Sequence, residues 1–188
     1  MRKRLVEPAT VLYPVPAVMV TCGDFAGEKN IITLAWVGTI CSVPPMVGIS
    51  VRPERFSHPM LKASGEFVVN LPTSGMAKMT DYCGVASGRD GDKFAATGLT
   101  PAPASIVRAP LIAECPVNLE CQVKEVKPLG SHDLFLAEIV AVQIDEDALN
   151  EASRLDLNKA QPLVYGDGKY WALGEYIDSH GFSARKQR

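Results

Sequence analysis

A chain of 188 residues, 47% hydrophobic and 21% charged, carries enough apolar content for one buried core and too much for wholesale disorder. Its formal net charge of −2 gives no electrostatic case for nucleic acid or an anionic membrane as partner, and the basic runs MRKR and SARKQR at the two ends read as solvated termini. Five cysteines, an odd number with no CxxC and no Cys/His cluster at zinc-ligand spacing, argue against a metal site and point to buried thiols in a reduced, cytoplasmic setting.

MRKR and the apolar residues after it imitate a secretory signal. Glu7, Pro8, Pro14 and Pro16 interrupt any apolar core, however, and no small-x-small cleavage site follows, so no signal peptide is expected. AVMVTC (17–22) reads as a strand and GDFAGEKN as the turn after it. From Asn30 to Val51 the chain is uncharged over a length that would span a bilayer. Pro44-Pro45, Gly38 and Gly48 would break such a helix, so the stretch reads as two strands, NIITLAWVGTICS and MVGISVR, around a Ser-Val-Pro-Pro turn. No transmembrane segment is left. The first of these strands poses a question: polar groups at Asn30, Thr33, Trp36, Thr39 and Ser42 need partners if they are buried.

Ser57, HPMLKAS and Gly65 predict a short helix with Ser57 at the N-cap, a proline in its first turn and a glycine stop. EFVVNL (66–71) returns to strand, Met76, Met79 and Cys83 fall at helical spacing, and GVASGRDGDKF is a glycine-rich loop. Further on, Leu119, Cys121 and Val123 alternate with Glu120, Gln122 and Lys124, the mark of a strand with one wet face. DLFLAEIVAVQID, apolar on nearly both faces, predicts a central strand that forms a long hairpin with it around KPLGSH. PLVYGDGKYWALG predicts a last hairpin around Gly166-Asp167-Gly168. Many short strands and few helices, without strand–helix alternation, predict a mostly β single domain: an antiparallel barrel with added short helices.

Phosphate and calcium motifs fail on spacing. GVASGRDGDK misses GxxxxGK[ST], no GxGxxG follows a strand, and DGDKFAATGLTP has Pro101 where a twelfth-position Glu belongs. RPERFS (52–57) sets two arginines and a serine between a strand and a helix start, where free N–H groups and guanidinium forks would bind phosphate. A capped helix flanked by solvated arginines accounts for the same residues. His132 in the turn GSHD, with His58 and His180, reads as surface; Trp36 reads as core; no cysteine has a local histidine signature.

Taken in order, N30-I-I-T33-L-A-W36-V-G-T39-I-C-S42, S50-V-R52-P-E-R55-F-S57, G91-D-K93-F and G130-S-H132 before a long apolar strand resemble the flavin reductase-like family, its flavoredoxin branch above all. The resemblance covers residues 10–175, within one domain over 1–188 that ends in a basic tail. It implies the FMN-binding split β-barrel, a six-stranded Greek-key antiparallel fold, as a homodimer with one non-covalent FMN per subunit near the interface. By the same resemblance, Asn30, Thr33 and Trp36 would flank the isoalloxazine and ribityl chain. Thr39, Ile40, Cys41 and Ser42 would meet the ring's polar edge, although Cys41 stands where a serine or another small residue is common. Arg52, Arg55 and Ser57 would hold ribityl or phosphate oxygens, Phe56 would add an aromatic contact, and Lys93 would be a second phosphate or flavin-edge donor. His132 would orient or guard the reacting face, and Tyr165 would pack from the C-terminal segment. The implied activity is an FMN oxidoreductase reduced by NAD(P)H or a redox protein partner and reoxidised by an acceptor. An NAD(P)H:flavin reductase that supplies free reduced flavin to a monooxygenase is an alternative, as is a non-catalytic flavin-binding module.

Overall fold

The computed structural model describes residues 1–184. Its first half forms β1 (Val15–Pro16), β2 (Val18–Gly23), β3 (Lys29–Leu34), β4 (Val37–Ser42), β5 (Pro45–Val51), α1 (Ser57–Ser64), β6 (Glu66–Leu71), α2 (Ala77–Val85) and α3 (Lys93–Thr97). The second half adds β7 (Pro101–Ala102), β8 (Leu111–Ile112), the long strands β9 (Val117–Pro128) and β10 (Asp133–Ile144), α4 (Leu157–Ala160), β11 (Val164–Gly166) and β12 (Lys169–Trp171).

Seven strands make one antiparallel sheet in the order β3-β2-β6-β9-β10-β5-β4. Its two end strands, β3 and β4, are consecutive in the chain and joined by Ala35 and Trp36 alone, so the sheet must curl until its ends meet. At that seam the Ser50 N–H donates to the Trp36 carbonyl at 3.0 Å. This is the mostly β split barrel expected from the sequence, with β4 as a seventh strand on the outer side of β5. Val20, Ile32, Ile49, Phe67 and Phe135 fill its interior. Each such side chain contributes roughly 1.5–3 kcal/mol on burial. The predicted hairpins are present as β9–β10 and β11–β12, and the second belongs to a separate small sheet, β1-β11-β12.

Several expectations are corrected. NIITLAWVGTICS is two strands, because the chain turns at Ala35–Trp36 to pass from one end of the sheet to the other. Ser57 is not an N-cap: Phe56 holds that position, and the buried Ser57 hydroxyl accepts a hydrogen bond from Asn30 Nδ2 at 2.8 Å. Gly65, at φ 65°, does end the helix. The wet face of β9 fails at Glu120, which is fully buried. His58 is buried too, against Asp133 and Phe135. All five cysteines are free, and burial pushes the Cys22 and Cys121 thiols up to about 12. Among the described residues no helix is long and apolar enough to cross a membrane, and no group of three or more His, Cys, Asp or Glu is placed to hold a metal ion. MRKR is exposed; the basic end of the chain, from residue 185, lies outside the described residues.

Candidate cofactor groove

Two adjoining cavities, of about 420 and 240 Å³, open at the seam of the barrel. Ile32, Arg55 and Gly84 line both, so they form one groove with two ends.

The smaller end lies between β3, the start of α1 and the loop that joins α2 to α3. Among the described residues lining it, Arg55, Arg89 and Lys93 are cationic and Glu54 is the carboxylate, itself 3.0 Å from Arg52. Lys93 opens α3, whose first turn is capped by the Asp92 carboxylate. Its ammonium is buried and donates to the Ile31 and Cys83 carbonyls, both at 2.8 Å. These partners are neutral and engage two of its three N–H groups. Burial holds the Lys93 pKa below the ordinary lysine range; Cys83 and Cys22 oppose this and Arg55 adds to it. Arg89 donates to the Glu54 carbonyl and lies 5.8 Å from the Phe56 ring centroid. A desolvated cation among further cations, with neutral partners, is the donor set an anion requires.

Gly88 lets the α2–α3 loop close over this end. A Cβ there would sit 2.4 Å from Phe56 Cδ1 and 2.6 Å from Asn30 Oδ1. Gly88→Ala must therefore displace the loop or the Asn30–Ser57 pair. A phosphorylated ligand seated at this end is expected to bind about tenfold more weakly, equivalent to ~1.4 kcal/mol; an unchanged dissociation constant would remove the loop from the site.

The larger end is apolar at its floor, with Ala17, Ile32, Leu34 and Ala35, and aromatic at its walls. The Trp36 and His132 rings meet at 4.6 Å between centroids. Burial, with Arg52 and Arg55 adding to it and Glu54 opposing, holds the His132 pKa below its ordinary value. Imidazole is then neutral at pH 7. Its Nδ1 is 2.9 Å from Ser131 Oγ. On the opposite wall Tyr165 meets Tyr13 and Tyr170 edge-on, at 6.5 and 5.6 Å. Tyr170 donates to Asp81 Oδ1 at 3.2 Å and so ties β12 to α2. Burial, then Asp81, pushes its phenol up to about 12. Such a slot accepts a flat aromatic ring.

Of the residues singled out in the sequence, Thr33, Trp36, Arg52, Arg55, His132 and Tyr165 line the larger end. Asn30, Phe56, Ser57 and Lys93 line the smaller end with Arg55. Thr33 is held by a hydrogen bond to the Thr80 carbonyl. Thr39, Ile40, Cys41 and Ser42 are not brought to the groove: they lie along β4, where Thr39, Ile40 and Ser42 are exposed and Cys41 Sγ donates to the Val43 carbonyl at 3.4 Å. Sequence reasoning missed Arg89, Tyr13, Tyr170 and Asp81. For Arg89 the basic, glycine-rich loop was the available signal; the others reach the groove through tertiary pairing that no local pattern encodes.

The family model described as "Flavin reductase like domain" matches residues 10–174. The structure of flavoredoxin from Desulfovibrio vulgaris (Miyazaki F) is similar at a TM-score of 0.90 and 30% identity, over 98% of this chain and 100% of that one. Flavoredoxin from Methanosarcina acetivorans matches at 0.91 and 30%, over 98% of each chain. An FMN-binding protein from Thermus thermophilus, with bound 1-cyclohex-2-enone, matches at 0.81 and 25%, over 95% of this chain and 99% of that one.

Proposed function

We propose that this chain, which belongs to the flavin reductase-like domain family, is an FMN-binding oxidoreductase of the flavoredoxin kind. The observation that carries this reading is the polarity of one continuous groove: three cations against one carboxylate at one end, an aromatic-walled slot at the other. The two ends match the two halves of FMN, a phosphate dianion and an apolar ring system.

Arg55, Arg89 and Lys93 would hold the phosphate. Ser57, which accepts from Asn30 and lies in hydrogen-bonding contact with Cys22, would hold Asn30 in place at this end. Trp36 and Tyr165 would wall the ring, with neutral His132 orienting a reactant at its open face. Bound there, FMN would supply two-electron chemistry, taking a hydride from NAD(P)H or electrons from a redox protein and passing them to an acceptor. A homodimer is part of the proposal. Ile40 and Val43, 50% and 87% exposed, support a second subunit seated on β4, which would put Thr39–Ser42 near the flavin of the pair. Free thiols at every cysteine favour the cytoplasm.

The purified protein is expected to stay yellow through desalting and to oxidise NADH or NADPH, or to accept electrons from a reduced protein donor. Colour lost on desalting with NAD(P)H oxidation retained would assign a diffusible-flavin reductase instead. Failure to bind added FMN at micromolar concentration would overturn the reading.

A further inference from the structure

His58 and Asp133 take no part in the groove and yet are buried, at 7% and 8% exposed, with His58 Nε2 2.8 Å from Asp133 Oδ2. The carboxylate can only accept, so Nε2 carries the proton and donates. The His58 ring is further fixed edge-on against Phe135, at 5.5 Å between centroids. Taking two ionisable groups out of water is unfavourable, and apolar replacements for such a pair are often neutral or stabilising, so stability alone does not account for it.

Its place in the chain does. His58 follows Ser57, and its backbone N–H donates to the Arg55 carbonyl at 3.0 Å, while the Arg55 N–H donates to the Arg52 carbonyl at 3.1 Å, so two successive turns lead from Arg52 to His58. Asp133 follows His132 and is the first residue of β10, in register with Val51 on one side and Pro128 on the other. One side-chain hydrogen bond therefore connects the segment carrying the anion-end donors to the turn carrying His132, whose ring packs at a tilt against Trp36.

We propose that His58 and Asp133 are a pair of positioning residues whose hydrogen bond fixes the distance between the anion end and the ring end of the groove. The inference rests on the FMN reading for its purpose, but not for its test.

In a Trp171→Phe background Trp36 is the sole tryptophan, since the chain has two. Its emission then reports the His132 contact in the ligand-free protein. Replacing both members, His58→Leu with Asp133→Val, leaves no orphaned polar group, and the melting temperature is expected to stay near that of the parent. Trp36 emission should nevertheless shift, and FMN should bind about tenfold more weakly as preorganisation is lost. His58→Gln, which places a donor near the Nε2 position, should restore both; Asp133→Asn, which keeps an acceptor oxygen, supplies the same rescue from the other side. A folded double variant with unchanged Trp36 emission and FMN affinity would overturn the proposal. So would conservative variants as impaired as the apolar pair at equal melting temperature. If the parent itself binds no FMN, the cofactor reading has failed, and the emission result still decides the role of the pair.

Discussion

Lys93→Met combined with Arg55→Ala is expected to weaken FMN binding by about 10²–10⁴-fold, since each charge-assisted hydrogen bond lost is worth roughly 1.5–3 kcal/mol. Methionine retains most of the stem volume at a buried position, so the change is read as lost charge rather than a new cavity. Titration followed by flavin fluorescence measures it, with circular dichroism to verify the fold; wild-type affinity in a folded double variant would sink the phosphate assignment. The pH dependence has a definite sign. Burial depresses the Lys93 pKa, so the folded, ligand-free protein gives up this proton at lower pH than the unfolded chain does. FMN affinity should be full below the depressed pKa and fall as the pH climbs through it. The stability of the ligand-free protein should run the other way, rising between that pKa and the ordinary lysine value as the burial penalty on the ammonium is removed.

The second large effect lies away from the groove. Glu120 accepts backbone N–H groups from Ser105, Ile106 and Val107 at 2.9, 2.7 and 3.1 Å, and Gln143 Nε2 at 2.9 Å. One carboxylate thus organises the segment leading to Val107 and Ala109, which pack on Val68. Glu120→Leu would orphan the buried Val107 N–H and free its neighbours, and is expected to destabilise by about 3–5 kcal/mol. Glu120→Gln should cost about 1–3 kcal/mol, because its amide group turns a donor toward donors. Burial alone would raise the Glu120 pKa, but the hydrogen bonds outweigh it and the net shift is downward. The stabilisation is therefore complete above the ordinary glutamate value and is lost as the pH falls through the depressed one. Urea melts of wild type and Glu120→Gln at neutral and acid pH measure this; equal midpoints at neutral pH would show that Glu120 anchors nothing. FMN affinity measured on the folded variants should not change.

Local pattern predicted much of the fold because strand alternation and turn residues act over a few positions. The β9–β10 and β11–β12 hairpins and the Gly65 stop were legible for that reason. Glu120 was not, since its position in an alternating strand looks wet until the chain fifteen residues earlier folds back to give it donors. His58 looked like a surface residue because its partner lies 75 positions away. The polar groups of NIITLAWVGTICS divide accordingly. Asn30 and Thr33 are held by Ser57 and by the Thr80 carbonyl, while Trp36, Thr39 and Ser42 stand exposed. Motif resemblance reached ten of the groove's side chains as a set because their order along the chain is distinctive, and it could not reach Asp81 or Tyr170, which meet only after the C-terminal hairpin docks.

The seam at Ala35–Trp36 separates two kinds of tolerance to substitution. On the far wall the twelve-residue strands β9 and β10 carry the ladder that makes the barrel cohere, and beyond the groove-side end at Asp133 a change there is judged first by whether the chain folds. Along the seam the wall is already interrupted, so the ladder does not have to be completed by the residues that face a ligand. Substitutions at those positions are expected to change what the groove binds more than whether the chain folds.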